Sequence, residues 1–302
     1  MVTRRTFLQS GFATLISSPA AAQNTSSKKL KAIASISIIG DLVHNVGGER
    51  VEVTALVGPN GDAHVYSPSP GDARKLAAAA VVFINGLGLE GWMTRLVAAS
   101  GAKAPIVAVS KGIAPRRMED EDKSGRTAID PHAWQSVANA KIYVTNIRDG
   151  LAGMDPSGKA IYATNATAYL AELDRLEREV RAAIARIPPD RRKIITTHDA
   201  FGYFGDAYGM TFIAPEGVAT EAEPSAKDVA TIIAQIKKQK IPAVFMENVT
   251  DPRMMQEIAK ESGARIGGTL YSDALSAADG PAATYIDMMR HNIGEFTKAL
   301  IG

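Results

Sequence analysis

DPSGKAIYATNATAYLAELDRLEREVRAAIARIPP, residues 155–189, is a long stretch with a single helical rhythm. Tyr162, Tyr169, Leu173, Leu176, Val180, Ala183 and Ile187 follow one another at steps of seven, four, three, four, three and four, which lays one apolar stripe along a helix. Asp155 suits the N-cap and Pro156 the first helical position, while Pro188-Pro189 forces the end. At 1.5 Å per residue a helix over Pro156–Ile187 runs to about 48 Å, too long for one small lobe to cover. The stretch predicts a rigid spine with a lobe on either side. A coiled-coil arm would need charged flanks sustained along the seam, which this stripe lacks.

On both sides of the spine, short apolar runs alternate with helical patterns. Before it come strand Ile33–Ile39, a helix near Asp41–Val46, strand Val51–Val57, helix Gly71–Ala79, strand Val81–Ile84, a helix around Gly91–Ala99 and strand Ile106–Val109. After it come strand Lys193–Thr197, helix Ala226–Lys238, strand Ala243–Met246, helix Pro252–Ser262 and strand Arg265–Leu270. Ser225 and Asp228 have capping-box spacing at the start of their helix. Alternation of this kind builds parallel sheets flanked by helices. The fold class is α/β: two lobes, each a mostly parallel sheet flanked by helices, joined by one long rigid helix. The expected boundaries are an export signal over 1–22, an N-terminal lobe over 28–154, the helix over 155–188 and a C-terminal lobe over 190–302.

The signal reading rests on Arg4-Arg5, the apolar stretch Phe7–Ile16 and Ala20-Ala21-Ala22. Thr3-Arg4-Arg5-Thr6-Phe7-Leu8 resembles a twin-arginine export sequence, which places the mature chain in a bacterial periplasm. Removing 1–22 takes away two of the 34 basic residues and none of the 32 acidic ones, leaving a formally neutral chain. Neutrality gives no electrostatic pull toward nucleic acid or an anionic membrane. With no Cys among 302 residues, disulfides, thiolate metal sites and thiol catalysis are excluded. Asn85-Gly86-Leu87-Gly88 lacks the dinucleotide fingerprint, so it is not read as a phosphate site.

Chemistry therefore falls to His and carboxylates. Of the five His, His44 and His291 sit in helical patterns and read as surface or packing residues. His64, His132 and His198 follow strands or turns beside small or acidic neighbours, and Asp273 lies just beyond a strand. The four are 68, 66 and 75 residues apart, two from each lobe, at the strand ends where open α/β sheets bind ligands. Three imidazoles and a carboxylate can complete a tetrahedron around a divalent cation. Spacing this wide is not a metal motif by itself, and a lone His near a strand end is more often a core residue. Asp62, Asp130 and Asp199 flank these histidines, either to receive the second ring N–H or to cap turns. Trp134 either shields such a site or simply fills core.

Gly61-Asp62-Ala63-His64-Val65-Tyr66-Ser67-Pro68, Asp130-Pro131-His132-Ala133-Trp134, Gly217-Val218-Ala219-Thr220-Glu221-Ala222-Glu223-Pro224-Ser225 and Tyr271-Ser272-Asp273-Ala274-Leu275 together resemble the zinc/manganese-type periplasmic solute-binding proteins of ABC importers. The resemblance covers essentially the whole mature chain. It implies two α/β lobes bridged by a rigid helix, with a metal held in the cleft by His64, His132, His198 and Asp273. It also implies a monomer that delivers its cargo to a membrane permease, with a periplasmic metallochaperone as a further partner. Members that look manganese-selective tend to carry Glu where this chain has His198, so imidazole there favours Zn²⁺ over the alternative, Mn²⁺. Many zinc members carry a His-rich acidic loop; here Met118-Glu119-Asp120-Glu121-Asp122-Lys123 has acids and no His, and reads as a solvated loop.

A zinc hydrolase is the rival class. Four protein ligands would close the site against the water that a catalytic zinc needs, and no His-Glu-x-x-His motif accompanies them. An adhesin is a third reading, and the missing Cys removes its lipid-anchored form. Because a ligand His must be neutral, affinity is expected to fall as pH drops through about 6.5. Release is expected through motion of loops or the C-terminal lobe, since a long helix resists wide hinge bending.

Overall fold

The computed structural model describes residues 29–119, 127–217, 220 and 224–301. The export signal expected over 1–22, residues 120–123 of the acidic stretch, and residues 218–219 and 221–223 of the third motif lie outside them.

In the first lobe β1 (Leu30–Ile36), α1 (Ser37–Gly47), β2 (Val51–Val57), α2 (Pro70–Ala77), β3 (Val81–Ile84), α3 (Met93–Ser100) and β4 (Ile106–Ala108) form a four-stranded sheet of order β2-β1-β3-β4 with its helices. Every pairing is parallel, from Leu30↔Val51 to Ile84↔Ala108. A short antiparallel hairpin of β5 (Arg117–Glu119) and β6 (Thr127–Ile129) follows. Then come α4 (Val137–Met154) and the long α5 (Lys159–Ala185). The second lobe holds β7 (Lys193–Ile195), α6 (Gly202–Tyr208), β8 (Thr211–Ile213), α7 (Ala226–Gln239), β9 (Ala243–Glu247), α8 (Arg253–Ser262), β10 (Arg265–Leu270) and α9 (Tyr285–Ile301). Its sheet is parallel with order β10-β9-β7-β8. Two parallel α/β lobes joined by one long helix are thus what the alternation foretold.

The hairpin β5–β6, α6 and β8 are additions to the expected elements, and three further differences bear on the spine and the site. The run Ile36–Ile39 does not stay in the strand: the chain turns helical at Ser37, and α1 buries Ile38, Ile39, Leu42, Val43 and Val46. A helix buried on nearly all sides shows no periodicity, so a short apolar run cannot be assigned by pattern alone. At Gly40 α1 packs against the sheet, where a Cβ would sit in ordinary contact with Ala55 at 3.5 Å and Ala34 at 3.9 Å. The second difference is α4, which the alternation had not placed, although Val137, Ala140, Tyr143, Val144, Ile147 and Leu151 form its buried stripe. The third is the spine itself. Pro156–Gly158 make a 3₁₀ turn, so α5 has 27 residues, about 40 Å rather than 48 Å.

Asp155 organises that start. Its carboxylate receives the Ser157 hydroxyl at 2.5 Å, the Tyr162 hydroxyl at 2.7 Å and Arg50 Nε and Nη2 at 2.9 and 2.8 Å, which hold it well below the usual carboxylate range. The stripe of α5 buries Tyr162, Ala166, Tyr169, Leu173, Leu176, Val180 and Ile184, with Ile184 in place of the expected Ala183. It packs on α1 and α4 of one lobe and on α9 of the other. Shortening Leu173 to Ala would cost about 2–5 kcal/mol. The capping box of α7 forms as expected, the Ser225 hydroxyl receiving the Asp228 N–H at 3.3 Å and Asp228 the Ser225 N–H at 3.1 Å.

The main core runs without a break through both lobes and the spine, including Phe83, Trp134, Leu173, Phe201, Phe245 and Phe296. A second, smaller core of Ile195, Ile232, Ile236, Ile241, Val244, Met255, Ile258 and Ala259 lies under α7 and α8. No described helix is long and apolar enough to cross a membrane.

Candidate metal centre

All four candidate side chains converge between the lobes. His64 follows β2 on a turn in which Asp62 Oδ1 receives the His64 backbone N–H at 2.8 Å and the Trp92 indole N–H reaches the Ala63 carbonyl at 3.0 Å. His132 follows β6. Asp130 Oδ1 receives both its backbone N–H, at 2.9 Å, and its ring Nδ1, at 2.8 Å, while Asn85 Nδ2 donates to the Pro131 carbonyl at 2.8 Å. Trp134 stands edge-on to His132 with ring centroids 5.3 Å apart and is fully buried, so it is core and site wall at once.

His198 and Glu247 leave the ends of β7 and β9. These neighbouring strands are in register at Ile195↔Val244, and three residues beyond each lie His198 and Glu247. Chain order reverses between those strands, with β8 on the far side of β7, and such a switch point opens a crevice at the carboxyl end of a parallel sheet. Glu247 Oε1 receives the backbone N–H of Thr197 at 2.8 Å and of His198 at 3.0 Å, and Oε2 lies 2.7 Å from His198 Nδ1. Asp273 follows β10 and turns both oxygens toward the histidines.

The inward atoms are the Nε2 of each ring and the Asp273 carboxylate. His64 Nε2 is 3.2 Å from His132 Nε2 and 3.1 Å from Asp273 Oδ2. His198 Nε2 is 3.3 Å from Oδ2, and His132 Nε2 is 3.5 Å from Oδ1. One donor atom from each of the four residues falls within 4.8 Å of all the others. A tetrahedron with bonds of about 2.0–2.1 Å has edges of about 3.3–3.4 Å, so these separations suit a cation of zinc size. His198 Nε2 and both Asp273 oxygens are buried with no hydrogen-bond partner, which the protein alone leaves costly.

The charge balance points the same way. Burial opposes a charge on His132, yet Asp273 and Asp130 outweigh it and raise its pKa to about 9. Burial likewise opposes charging His198, and Glu247 with Asp273 overcomes it, lifting the pKa well above the usual imidazole value. Burial would raise Asp273, but His132 and His198 hold it well below the carboxylate range. Without a cation the cluster holds protons on His132 and His198 against the Asp273 carboxylate, and a cation would displace them.

Of the three flanking acids, only Asp130 meets a ring nitrogen. Asp62 caps a turn and ties it to the other lobe, its Oδ2 receiving the Thr220 hydroxyl at 2.5 Å. The Asp199 backbone N–H goes to the Gly217 carbonyl at 3.0 Å, and among the described residues its carboxyl reaches no ring nitrogen. The acid that serves His198 is Glu247, which residue neighbourhood could not reveal. Its signal is a lone carboxylate closing the apolar run Ala243–Met246 beside the strand that ends before His198. Arg116 was also missed: its Nη1 lies 3.3 Å from Asp130 Oδ2 and its Nε 3.2 Å from Asp206 of α6. A Cβ at Gly202 would come within 2.3 Å of that guanidinium, so glycine there leaves its path to Asp130 open. His44 is exposed on α1, and His291 bonds the Thr269 carbonyl at 2.9 Å, so neither joins the cluster.

Comparison with known proteins agrees with this geometry. Residues 33–299 match the family model described as zinc-uptake complex component A, periplasmic. The manganese-binding lipoprotein MntA of Halalkalibacterium halodurans is 37% identical over 271 residues, spanning 90% of this chain and 88% of that protein. The iron-binding protein YfeA of Yersinia pestis is 33% identical over 290 residues, spanning 95% and 92%. The periplasmic zinc-binding protein TroA of Treponema pallidum superposes with a TM-score of 0.84 at 32% identity, covering 90% of this chain and 99% of that one. These relatives are named as metal-binding proteins, not enzymes, and this chain is a binding protein rather than a hydrolase. By its whole length, its two parallel lobes and its spine, the chain belongs to the zinc-uptake component A family, the exported metal-binding subunits of ABC importers that work with a membrane permease and an ATPase.

Proposed function

We propose that this protein captures one divalent metal ion in the periplasm with His64, His132 and His198 through Nε2 and Asp273 through its carboxylate, and delivers it to its permease. The cargo is Zn²⁺. The observation that carries this is that four of the six inward separations are 3.1–3.5 Å, close to the edges of a zinc tetrahedron, with all four donors within 4.8 Å of one another. Three imidazoles also favour zinc over manganese in intrinsic affinity. The chain acts as a monomer, exported through a twin-arginine signal within residues 1–22, and a periplasmic metallochaperone supplies its metal.

Manganese is the second reading. Both Asp273 oxygens face imidazoles, Oδ1 toward His132 and Oδ2 toward His64 and His198, so the carboxylate offers a fifth donor of the kind a harder cation uses. MntA, at 37% identity, is named for manganese.

Metal-stripped protein dialysed against equal, limiting Zn²⁺ and Mn²⁺ and read by elemental mass spectrometry tests the ligand set. One equivalent of zinc, absent from Asp273→Ala, supports it; no stoichiometric metal would overturn it. The metal carried by protein isolated from a periplasm supplied with both ions decides the cargo, and manganese there reverses the zinc assignment.

A further inference from the structure

Two carboxylates stand behind two of the histidines, and they bond differently. Asp130 uses one oxygen for both tasks: Oδ1 receives the His132 backbone N–H and its ring Nδ1, while Oδ2 faces Arg116. Glu247 divides them. Its Oε1 is committed to the backbone N–H groups of Thr197 and His198, and only Oε2, 2.7 Å from Nδ1 and off the axis of a ring N–H, is left for the imidazole. Glu247 is 2% exposed, and no other described carboxylate or carbonyl reaches that nitrogen.

We infer that Glu247 is the positioning residue that sets the tautomer of His198, and that it does so through this divided bonding. The inference rests on His198 presenting Nε2 to the metal. A carboxylate only accepts hydrogen bonds, so the proton of a neutral His198 ring stays on Nδ1 and Nε2 keeps its lone pair for the cargo.

The two sites therefore respond oppositely to the same isosteric change. In Glu247→Gln the amide oxygen must remain with the two backbone donors, which turns the amide NH₂ onto Nδ1. That nitrogen becomes an acceptor, and the ring proton moves to Nε2, where it points at the metal. In Asp130→Asn the amide oxygen keeps both bonds to His132 and its NH₂, which cannot accept from Arg116, gives up that one long contact, so the His132 tautomer is unchanged.

The test compares wild type, E247Q and D130N as mature protein. Histidine ¹⁵N shifts of metal-free protein, recorded at a pH high enough to leave the rings neutral, report the tautomer, and chelator competition reports zinc affinity. The expected result is an Nε2–H ring at position 198 in E247Q with affinity down by about 100-fold, the upper end for supporting residues. D130N keeps Nδ1–H at His132 and loses about tenfold or less. An unchanged His198 tautomer in E247Q, or wild-type affinity there, overturns the inference. If E247Q does not fold, the wild-type spectrum decides: Nδ1–H on His198 supports the inference and Nε2–H sinks it. The spectra need no metal, so a failure of the metal-capture reading would show separately, as wild type that binds no zinc.

Discussion

The loops that carry His198 and Asp273 both leave strands of the second sheet, yet they are fastened differently. His198 is held by Glu247 of its own sheet. The Asp273 loop is held by its own lobe, where Asn292 bonds the Tyr271 N–H and carbonyl at 2.9 and 2.8 Å, and from across the cleft as well. The Ser272 carbonyl receives Trp134 Nε1 and Gln135 Nε2, each at 2.8 Å; the Leu275 N–H reaches the Ser37 hydroxyl at 3.0 Å; and the Leu275 carbonyl receives the Asn60 N–H at 2.9 Å. Beyond it, the Tyr285 N–H meets Asp41, whose burial pushes its pKa up to about 6. The sequence suggested two ligands per lobe. The hydrogen bonds tie Asp273 to the lobe of His64 and His132 as well as to its own, while His198 is fastened within its own sheet. Chain connectivity and mechanical attachment are separate properties, and only the first can be read from spacing.

The largest effect should separate the two loops directly. Asp273→Ala takes the only anion from the four ligands, leaving three neutral imidazoles in a buried site, and is expected to abolish stoichiometric zinc binding. His198→Ala removes a neutral ligand and keeps the anion, and should retain one equivalent at reduced affinity. Calorimetric titration of both variants decides it, and equal losses would break the comparison.

A proton test comes next. With its pKa raised to about 9, His132 is charged at neutral pH in metal-free protein, and a metal must expel that proton. Affinity should therefore keep rising up to about pH 9, by about tenfold per unit for each proton displaced, rather than level off above the 6.5 of an ordinary imidazole. The stability of the metal-free protein runs the other way. A raised His pKa stabilises the fold fully below the unfolded value of about 6.5, and that contribution is lost as pH climbs through about 9. Zinc competition and thermal melts across pH 6–9 read both trends; a flat affinity from 7 to 9 would mean the cluster holds no such proton.

The smallest effect sharpens the picture of the tether. Trp134→Phe keeps an aromatic ring against His132 but removes one of the two donors to the Ser272 carbonyl. About 1 kcal/mol is expected, a several-fold weakening of zinc binding. No change at all would mean that the remaining bonds already fix Asp273.

Much of this was legible beforehand because it depends on local chemistry. Strands β2, β3 and β10 fall where their apolar runs lie, and all four cleft residues were marked by position after strands or turns, His64, His132 and Asp273 also by motif. What stayed hidden depends on partners far away in sequence. Ser37–Ile39 begin a helix but are all buried, and an apolar run that short carries no period to tell helix from strand. Glu247 meets His198 only through the register of β7 and β9, and Arg116 reaches Asp130 only because Gly202 stands aside. Asp199, the nearest acid to His198 in sequence, turns out not to serve its ring.

The unequal division of the core has a consequence for how the molecule comes apart. Because one core threads both sheets and α5, the two lobes are expected to unfold together. The small core under α7 and α8 is expected to open first, while the rest stays shut. Amide hydrogens of Ile232 and Ile236 then exchange with solvent well before that of Leu173, and β9, which carries Glu247, lies on the boundary between the two regimes.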